Sequence, residues 1–368
     1  MNNKKDRVID DTYAEVIETC FNTYLSEDEA RKRCYGMWML LEEMGDPPTS
    51  ELSYGELTRI RDARNALRAD ERVLARKERF YDLLEETLGQ LQPPPFIPPI
   101  AEAVSSKSAI LQISDLHYGI KVNNAWNQYD TEIARERLMA VADGVIRAFN
   151  LHDFRELHVV LQGDLISGKI HTTLRLQNQL NVVEQITGVT EILYEMFVRL
   201  LAAGIPLIVV HSVAGNHERM TDKKEDNLEE ETYTSLINSI LRPMLESQGV
   251  EFANENHYGT DIDAFTANGL YVVAVHGDKD QFSSLYYNLA ALLLRKPDII
   301  LTAHRHELRV AEEKGCTMIA NGSLVGSDDY AKNLRYISKP LQNLIIVNDD
   351  ASFSLLPLLA EPKGGEAN

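Results

Sequence analysis

The 368-residue sequence is poor in cysteine, in long apolar runs and in net positive charge. Its three cysteines, Cys20, Cys34 and Cys316, share no metal-type spacing, which favours a reducing compartment over a disulfide framework. No apolar run approaches the length of a membrane span, and the segment MNNKKDRVIDD lacks the apolar core of a signal peptide. We therefore expect a cytoplasmic protein with no membrane partner.

Basic residues are outnumbered by acidic ones, 37 against 56, which gives a formal net charge of -19. An acidic surface disfavours non-specific binding of nucleic acid or of an anionic membrane by the protein surface alone. It does not exclude an active site that meets phosphate through bound cations, because those charges are absent from the count.

A proline-rich segment, PPPFIPP over 93–99, divides the chain, because proline at this density ends a helix and favours an extended spacer. We predict a helical accessory domain over 1–92, a linker over 93–105, the main domain over 106–360 and a flexible tail over 361–368. The third predicted helix of the accessory domain carries a line of arginines. This line is either a solvated helix face or a contact for a phosphate backbone. Its members are Arg61, Arg64, Arg68, Arg72, Arg76 and Arg79.

Beyond the linker, short apolar strands alternate with amphipathic helices, which predicts a layered α/β domain in which the later strands finish a second sheet. The predicted strands are Ala109–Ile113, Leu157–Leu161, Pro206–His211, Leu270–Val275, Asp298–Thr302, Asn343–Val347 and Ser352–Leu356. The predicted helices are Tyr129–Phe149, Leu174–Ala203, Leu228–Glu246 and Phe282–Leu293.

Each of five predicted strands is followed directly by residues of types that commonly bind metals. These strand ends are Asp115-Leu116-His117, Gly163-Asp164, Gly215-Asn216-His217-Glu218, His276-Gly277-Asp278 and His304-Arg305-His306. One histidine or aspartate after a strand is usually a turn residue, but five such ends in one domain are hard to ascribe to chance. A parallel sheet would bring them to one rim, where ligands gather in open α/β sheets.

A mixture of carboxylate, amide and imidazole ligands suits Mn²⁺, Fe, Zn²⁺ or Co better than the all-oxygen preference of Mg²⁺ or Ca²⁺. The ligands are too many for one ion and enough for two. Paired ions are a recurrent device for phosphoester hydrolysis, because they share and acidify a bridging water and neutralise charge on the attacked phosphoryl group.

The order of these motifs resembles that of the calcineurin-like metallophosphoesterases over about 106–360. The resemblance implies a two-sheet α/β sandwich flanked by helices, with the N-terminal all-helical domain as an addition. It also implies two divalent transition-metal ions, with Mn²⁺ the leading choice. One ion would be held by Asp115, His117 and His306. The other would be held by Asn216, His276 and His304. The resemblance further implies that Asp164 bridges the two ions and that His217 acts on the substrate as an acid or charge stabiliser.

Residues after Asp164 bear on the substrate. The sequence lacks the Asp-Arg-Gly that protein phosphatases of this superfamily carry there, and DLHYG over 115–119 is similar to the opening motif of the SbcD-like DNA-repair exonucleases. That branch implies a nuclease that hydrolyses DNA and works with an ATPase partner. The expected substrate contacts are Lys169, His171, Arg175 and Arg305.

Two alternatives stay open. One is a phosphodiesterase or phosphatase that acts on small molecules such as nucleotides. The other is a non-catalytic scaffold, which is disfavoured because every ligand position is filled. Structural roles are expected for four histidines outside the motifs, and Glu218 is expected to brace a turn. These histidines are His152, His158, His211 and His257.

Overall fold

The computed structural model describes residues 106–170, 176–221, 227–253, 258–328 and 337–361. The helical domain predicted over 1–92, its arginine line and the linker over 93–105 lie outside these residues. Two of the expected substrate contacts, His171 and Arg175, also lie outside them, as does the predicted tail after residue 361.

The described chain alternates strands with four long helices. The strands are β1 (Ser108–Ile113), β2 (Val122–Asn123), β3 (Gln128–Tyr129), β4 (Glu156–Leu161), β5 (Leu207–Ser212), β6 (Glu251–Phe252), β7 (Ile262–Ala267), β8 (Leu270–Val275), β9 (Ile299–Thr302), β10 (Arg309–Glu313), β11 (Cys316–Ala320), β12 (Leu341–Val347) and β13 (Phe353–Leu359). The helices are α1 (Thr131–His152), α2 (Val182–Ala202), α3 (Tyr233–Glu246) and α4 (Leu285–Leu293). All seven predicted strands are present, with ends that differ by no more than three residues.

Two sheets form the body of this mixed α/β fold. The first has six strands in the order β13-β12-β1-β4-β5-β6, and the second has five in the order β10-β11-β9-β8-β7. In the first sheet, β1, β4, β5 and β6 are parallel, whereas β12 and β13 join antiparallel. In the second sheet, β8, β9 and β11 are parallel between antiparallel edge strands β7 and β10.

The expectation that one parallel sheet would carry all five ligand-bearing strand ends is wrong. Strands β1, β4 and β5 belong to the first sheet, and β8 and β9 belong to the second. The pattern of short apolar strands could not separate these cases, because a strand buried on both faces reads the same in either sheet.

The core between the sheets is a continuous apolar layer. Ile110 and Val160 of the first sheet are in one buried cluster with Val272 and Leu301 of the second. A second cluster joins the other face of the second sheet to α4, whose Leu285, Leu289 and Leu293 contact β8 and β11 residues. Helix α1 contacts β12 and β13, and α2 contacts both α1 and α3. Burial of these apolar surfaces is the main stabilising contribution to the sandwich.

All four helices begin later than their apolar periodicity predicts, and polar residues cap the first three. Asp130 caps α1 by accepting a hydrogen bond from the Ile133 backbone N–H. Asn181 and Glu184 form a reciprocal capping box at the start of α2, and Thr232 caps α3. Among the described residues, no helix combines the length and the apolar character needed to cross a bilayer.

Candidate metal centre

The ligand candidates lie in turns that follow the strands, and most adopt a backbone conformation that side chains disfavour. In the left-handed region are Asp115 (φ 51°), His117 (φ 45°), Asp164 (φ 52°), His304 (φ 66°) and His306 (φ 57°). A non-glycine residue held there costs on the order of 1–3 kcal/mol and persists only where its surroundings enforce it. Such strain is concentrated at functional sites, and here it turns the ligand side chains beyond the strand ends.

The first cluster consists of Asp115, His117 and His306, which the structure brings together from both sheets. The Nε2 atoms of His117 and His306 are 3.2 Å apart, and Asp115 Oδ1 lies 3.3 Å from His306 Nε2. Although Asp115 is fully buried, its Oδ1 accepts no hydrogen bond from the described part of the chain. A buried carboxylate oxygen between two imidazole nitrogens is a donor set that fits a divalent transition metal.

The second cluster consists of Asp164, His276 and His304, with Asn216 beside it. Asp164 Oδ2 lies 3.2 Å from His276 Nε2, which in turn lies 3.3 Å from Asn216 Oδ1. His276 Nδ1 donates a hydrogen bond to the carbonyl of Gln162 at 2.9 Å. That bond orients the ring so that Nε2 faces the cluster, the arrangement typical of metal-binding histidines.

Asp164 lies between the two clusters. Its Oδ2 atom is 3.9 Å from Nε2 of His117 in the first cluster and 3.2 Å from Nε2 of His276 in the second. The position is compatible with the bridging role that the family resemblance implies.

His217 lies against both Asp164 and His117. Its backbone N–H donates to Asp164 Oδ1 at 2.9 Å, and its Nδ1 donates to the carbonyl of Ser167 at 2.8 Å. Its ring meets that of His117 edge-on, with centroids 4.5 Å apart. Because His117, Asp164 and His217 also form a compact group, distance alone does not separate His217 from the ligands. The distinct role of His217 rests on the resemblance.

The electrostatics keep the two carboxylates in the form that binds metal. Burial opposes ionisation of Asp164, but His276 and His217 outweigh it and hold its pKa well below the usual range. Burial likewise opposes ionisation of Asp115, and His306 lowers its pKa. Burial lowers the pKa of His117 well below 6.5 and keeps that ring neutral. His276 differs from His117, because burial lowers its pKa but the charge of Asp164 outweighs burial and raises the pKa to about 10. Metal binding would therefore displace a proton from His276.

Glu218 braces the turns that present these ligands. Its buried carboxylate accepts hydrogen bonds from the backbone N–H groups of Asp164 and Gly215, each at 2.9 Å, and of Leu165. Burial, with Asp164 nearby, raises the pKa of Glu218 to about 8. One carboxylate thus joins the turn after β4 to the turn after β5.

Ala303 stands where the family usually has glycine before the His-x-His motif. It is fully buried, its N–H donates to the carbonyl of His276 at 2.8 Å, and its φ is not in the left-handed region. Alanine therefore fits this turn without backbone strain. Of the expected substrate contacts, Lys169 is half-buried, and Arg305 is exposed between two ligand histidines.

The sequence interpretation missed a set of buried polar residues beneath the ligands, namely Ser114, Asn321 and Gln342. Their side chains are fully buried and hydrogen-bonded to one another. A signal was present, because Asn321 directly follows β11 and makes it a further strand that ends in a polar residue.

Comparisons with known proteins found several to which this chain is similar. The chain is 22% identical over 303 residues to the SPbeta prophage-derived uncharacterized protein YonJ of Bacillus subtilis (strain 168), a match that covers 79% of this chain and 74% of that protein. A conserved uncharacterized protein of Streptococcus pneumoniae TIGR4, described as a predicted phosphoesterase, matches 71% of this chain and 96% of its own at 14% identity and a TM-score of 0.33. An archaeal phosphodiesterase matches 68% of this chain and 99% of its own at 13% identity and a TM-score of 0.32.

The family model for calcineurin-like phosphoesterases matches residues 108–332, which is more than half of the chain. The match begins at β1 and spans all five ligand-bearing strand ends. Members of this family are metal-dependent phosphoesterases, in agreement with the two clusters of histidine and aspartate. The protein belongs to the calcineurin-like phosphoesterase family.

Proposed function

We propose that this protein is a phosphodiesterase that uses two metal ions to hydrolyse DNA. The observation that carries the proposal is the pair of buried clusters on either side of Asp164, with His217 in contact. Bound divalent ions would supply Lewis-acid activation of water and of the phosphoryl group.

The division of the ligands between two ion sites follows the family resemblance, and the distances are compatible with it. Asp115, His117 and His306 would hold one ion. His276, His304 and the side-chain oxygen of Asn216 would hold the other, and Asp164 would bridge the two. We take Mn²⁺ as the leading candidate because carboxylate and amide oxygens stand beside the imidazoles, with Fe, Zn²⁺ and Co as alternatives that imidazole ligands also suit.

His217 would transfer the proton that hydrolysis of a diester requires. Its Nδ1–H is occupied by the Ser167 carbonyl, so Nε2 is the ring atom directed towards Asp164 and the reacting group. When the P–O bond breaks, a protonated Nε2 gives its proton to the leaving sugar oxygen. The same positive charge stabilises the phosphoryl oxygens before transfer.

Two features support DNA as the substrate. The DLHYG sequence over 115–119 resembles the opening motif of the DNA-repair exonuclease branch. The exposed Arg305 lies between His304 and His306, where its guanidinium would contact a backbone phosphate next to the one attacked. With a net charge of -19, such contacts would have to be local rather than spread over the surface.

An assay supplemented with Mn²⁺ tests the proposal on four substrates: linear duplex DNA, single-stranded DNA, a cyclic nucleotide and bis-p-nitrophenyl phosphate. We expect turnover of DNA and of the small diester. The variant Arg305→Ala should lower turnover of DNA more than that of the small diester. Hydrolysis of the small diester or the cyclic nucleotide without any turnover of DNA would contradict the choice of substrate. A protein that binds no metal and hydrolyses nothing would contradict the proposed function as a whole.

A further inference from the structure

We propose that Ser114 and Asn321 are positioning residues that hold Asp115 in its metal-binding orientation through a one-way chain of hydrogen bonds. The inference rests on the proposed metal site and adds the residues that prepare one of its ligands. None of them contacts the expected substrate. They act through the Asp115 carboxylate alone.

The two oxygens of Asp115 have different surroundings. Oδ2 accepts a hydrogen bond from the Ser114 hydroxyl at 2.7 Å and another from the His304 backbone N–H at 3.3 Å. Oδ1 accepts none in the described chain and faces His306 Nε2 at 3.3 Å. Donors on one oxygen fix the rotation of the carboxylate, and the other oxygen is thereby presented to a metal ion.

Asn321 determines which group donates and which accepts in each of these hydrogen bonds. Its Oδ1 accepts from the backbone N–H of Asn343 at 3.0 Å, and since that group can only donate, the amide orientation is determined. The Asn321 NH₂ group then donates to Ser114 Oγ at 2.9 Å and to Gln342 Oε1 at 3.0 Å. Because Ser114 Oγ accepts from Asn321, its own hydrogen is directed to Asp115.

Because the hydrogen-bonded residues are buried, the loss of one of them cannot be compensated by water. Ser114, Asn321 and Gln342 are each 0% exposed, so water has no access to replace a lost partner. Gln342 Oε1 also accepts from the Ser114 backbone N–H at 2.7 Å, which fixes the backbone as well as the hydroxyl. Removing one donor would leave buried acceptors unsatisfied and would let the Asp115 carboxylate rotate.

The hydrogen bond between Asn321 and Ser114 also joins the two sheets beneath the site. Ser114 directly follows β1 of the first sheet, and Asn321 directly follows β11 of the second. The second cluster has a separate support, because His276 is oriented by the Gln162 carbonyl. The two sites also touch, because the His304 backbone N–H donates to Asp115 Oδ2. Loss of a hydrogen bond from Asn321 or Ser114 should therefore weaken the first metal site more than the second.

Titration of the metal-free protein with Mn²⁺ by calorimetry tests this selectivity. The wild-type protein should bind two equivalents. Ser114→Ala and Asn321→Ala should each weaken one equivalent by about 10–100-fold, the usual cost of losing a residue that orients a metal ligand. Asn321→Asp keeps the size of the side chain but places an acceptor opposite Ser114. It should cause the same loss, because the hydroxyl is drawn away from Asp115.

Ser108→Ala is the matched control. Ser108 is also fully buried and its hydroxyl also donates to a carboxylate, Glu156 Oε2 at 3.0 Å, but it lies at the opposite end of β1. This variant should lower the thermal stability as Ser114→Ala does, without changing either metal affinity. An equal loss of metal affinity in Ser108→Ala would overturn the proposal, since the effect would then be one of general stability.

A double-mutant cycle gives the second test. If Asn321 acts through Ser114, Asn321→Ala should cost no further metal affinity in the Ser114→Ala background. Additive losses, or wild-type affinity in Ser114→Ala, would overturn the inference while the proposed function stands. A wild-type protein that binds no metal would overturn the proposed function itself, so the two failures are distinguishable.

Discussion

Two buried groups of histidine and carboxylate can be compared within the described residues, and one of them has the features expected of a metal site. The first is the metal centre at the strand ends. The second, here called the strand cluster, consists of His158, His211 and Asp263. His158 Nδ1 lies 3.0 Å from His211 Nε2, and His211 Nδ1 lies 3.1 Å from Asp263 Oδ2. Phe265 stacks on His211, with ring centroids 3.8 Å apart.

Backbone conformation distinguishes the two. The strand cluster lies within the regular strands β4, β5 and β7, and its carboxylate is paired with His211. In the metal centre, five candidate ligands have left-handed backbone angles, and Asp115 Oδ1 accepts no hydrogen bond in the described chain. Burial of histidine with carboxylate therefore does not by itself indicate a metal site. Strained turns at the buried side chains do.

The same substitution in both groups should give the largest contrast. Asp164→Asn removes the charge between the two clusters. We expect hydrolysis of bis-p-nitrophenyl phosphate to fall by more than about 10²-fold, the upper range for losing a residue that merely orients a ligand. Metal content, measured on the purified protein by mass spectrometry, should fall with it.

Asp263→Asn is the matched substitution in the strand cluster. It should leave metal content and turnover unchanged while lowering the free energy of unfolding by roughly 1–3 kcal/mol, the usual contribution of a hydrogen bond to a charged group. Loss of metal in this variant, or full metal content in Asp164→Asn, would remove the distinction between the two groups.

Removal of His217 should separate chemistry from metal binding. We expect His217→Ala to retain its metal while the rate falls by about 10²–10⁴-fold, the range for a general acid. The measurement is metal content together with the rate of DNA hydrolysis. If His217→Ala loses metal instead, then His217 is a ligand, as its compact group with His117 and Asp164 would also allow.

Two glycines with similar backbone angles test how tightly the metal centre is packed. Gly163 (φ 80°) precedes Asp164, and Gly269 (φ 88°) lies in the β7–β8 turn. A Cβ atom at Gly163 would lie 2.6 Å from Gly215 Cα and 2.8 Å from His276 Nδ1, whereas one at Gly269 would meet nothing within 4 Å.

Alanine at Gly269 should cost about 1–2 kcal/mol of stability, because the position requires left-handed backbone. Alanine at Gly163 should cost more, because its Cβ would also press on the Gly215 backbone. Only Gly163→Ala should also weaken Mn²⁺ binding, because it displaces the turn that carries Asp164 and presses on His276. Equal metal affinities in Gly163→Ala and Gly269→Ala would show that the centre tolerates such displacement.

The sequence could predict the strands and the ligand types because both are local properties. A run such as LIVV before Gly-Asn-His-Glu indicates a buried strand and a turn without knowledge of its neighbours. Helix starts were predicted too early because apolar periodicity outweighed the capping residues Asp130, Asn181 and Thr232, although these were visible in the sequence.

The assignment of strands to sheets could not be predicted, because it depends on pairing between distant segments. Strand β7 was missed although Asn268-Gly269, with both residues at positive φ, is a strong hairpin signal. The series of hydrogen bonds from Asn321 through Ser114 to Asp115 could not be predicted for the same reason as the sheet assignment, although the position of Asn321 after a strand was visible. It joins residues more than 200 positions apart, and nothing local relates them.

The smallest expected effect is a dependence of stability on pH that arises in the strand cluster. Burial lowers the pKa of His211 although Asp263 opposes it, so the folded protein keeps this ring neutral. Above pH 7 both folded and unfolded states are neutral and the histidine contributes nothing. As the pH falls through about 6.5, the unfolded chain gains a proton that folded His211 does not, and the free energy of unfolding decreases. The slope is limited to about 1.4 kcal/mol per pH unit for one proton.

Urea denaturation of the metal-free protein between pH 8 and pH 5.5 measures this slope. His211→Gln cannot be protonated, so its stability should fall less steeply on acidification than that of the wild-type protein. Titrating groups that do not contact His211, including the ligand histidines, are common to both proteins and cancel in the difference. The difference therefore reports His211 together with His158 and Asp263, which contact it. Parallel curves would mean that His211 titrates alike in the folded and unfolded states. The strand cluster would then carry no electrostatic cost of burial, and its contrast with the metal centre would rest on backbone geometry alone.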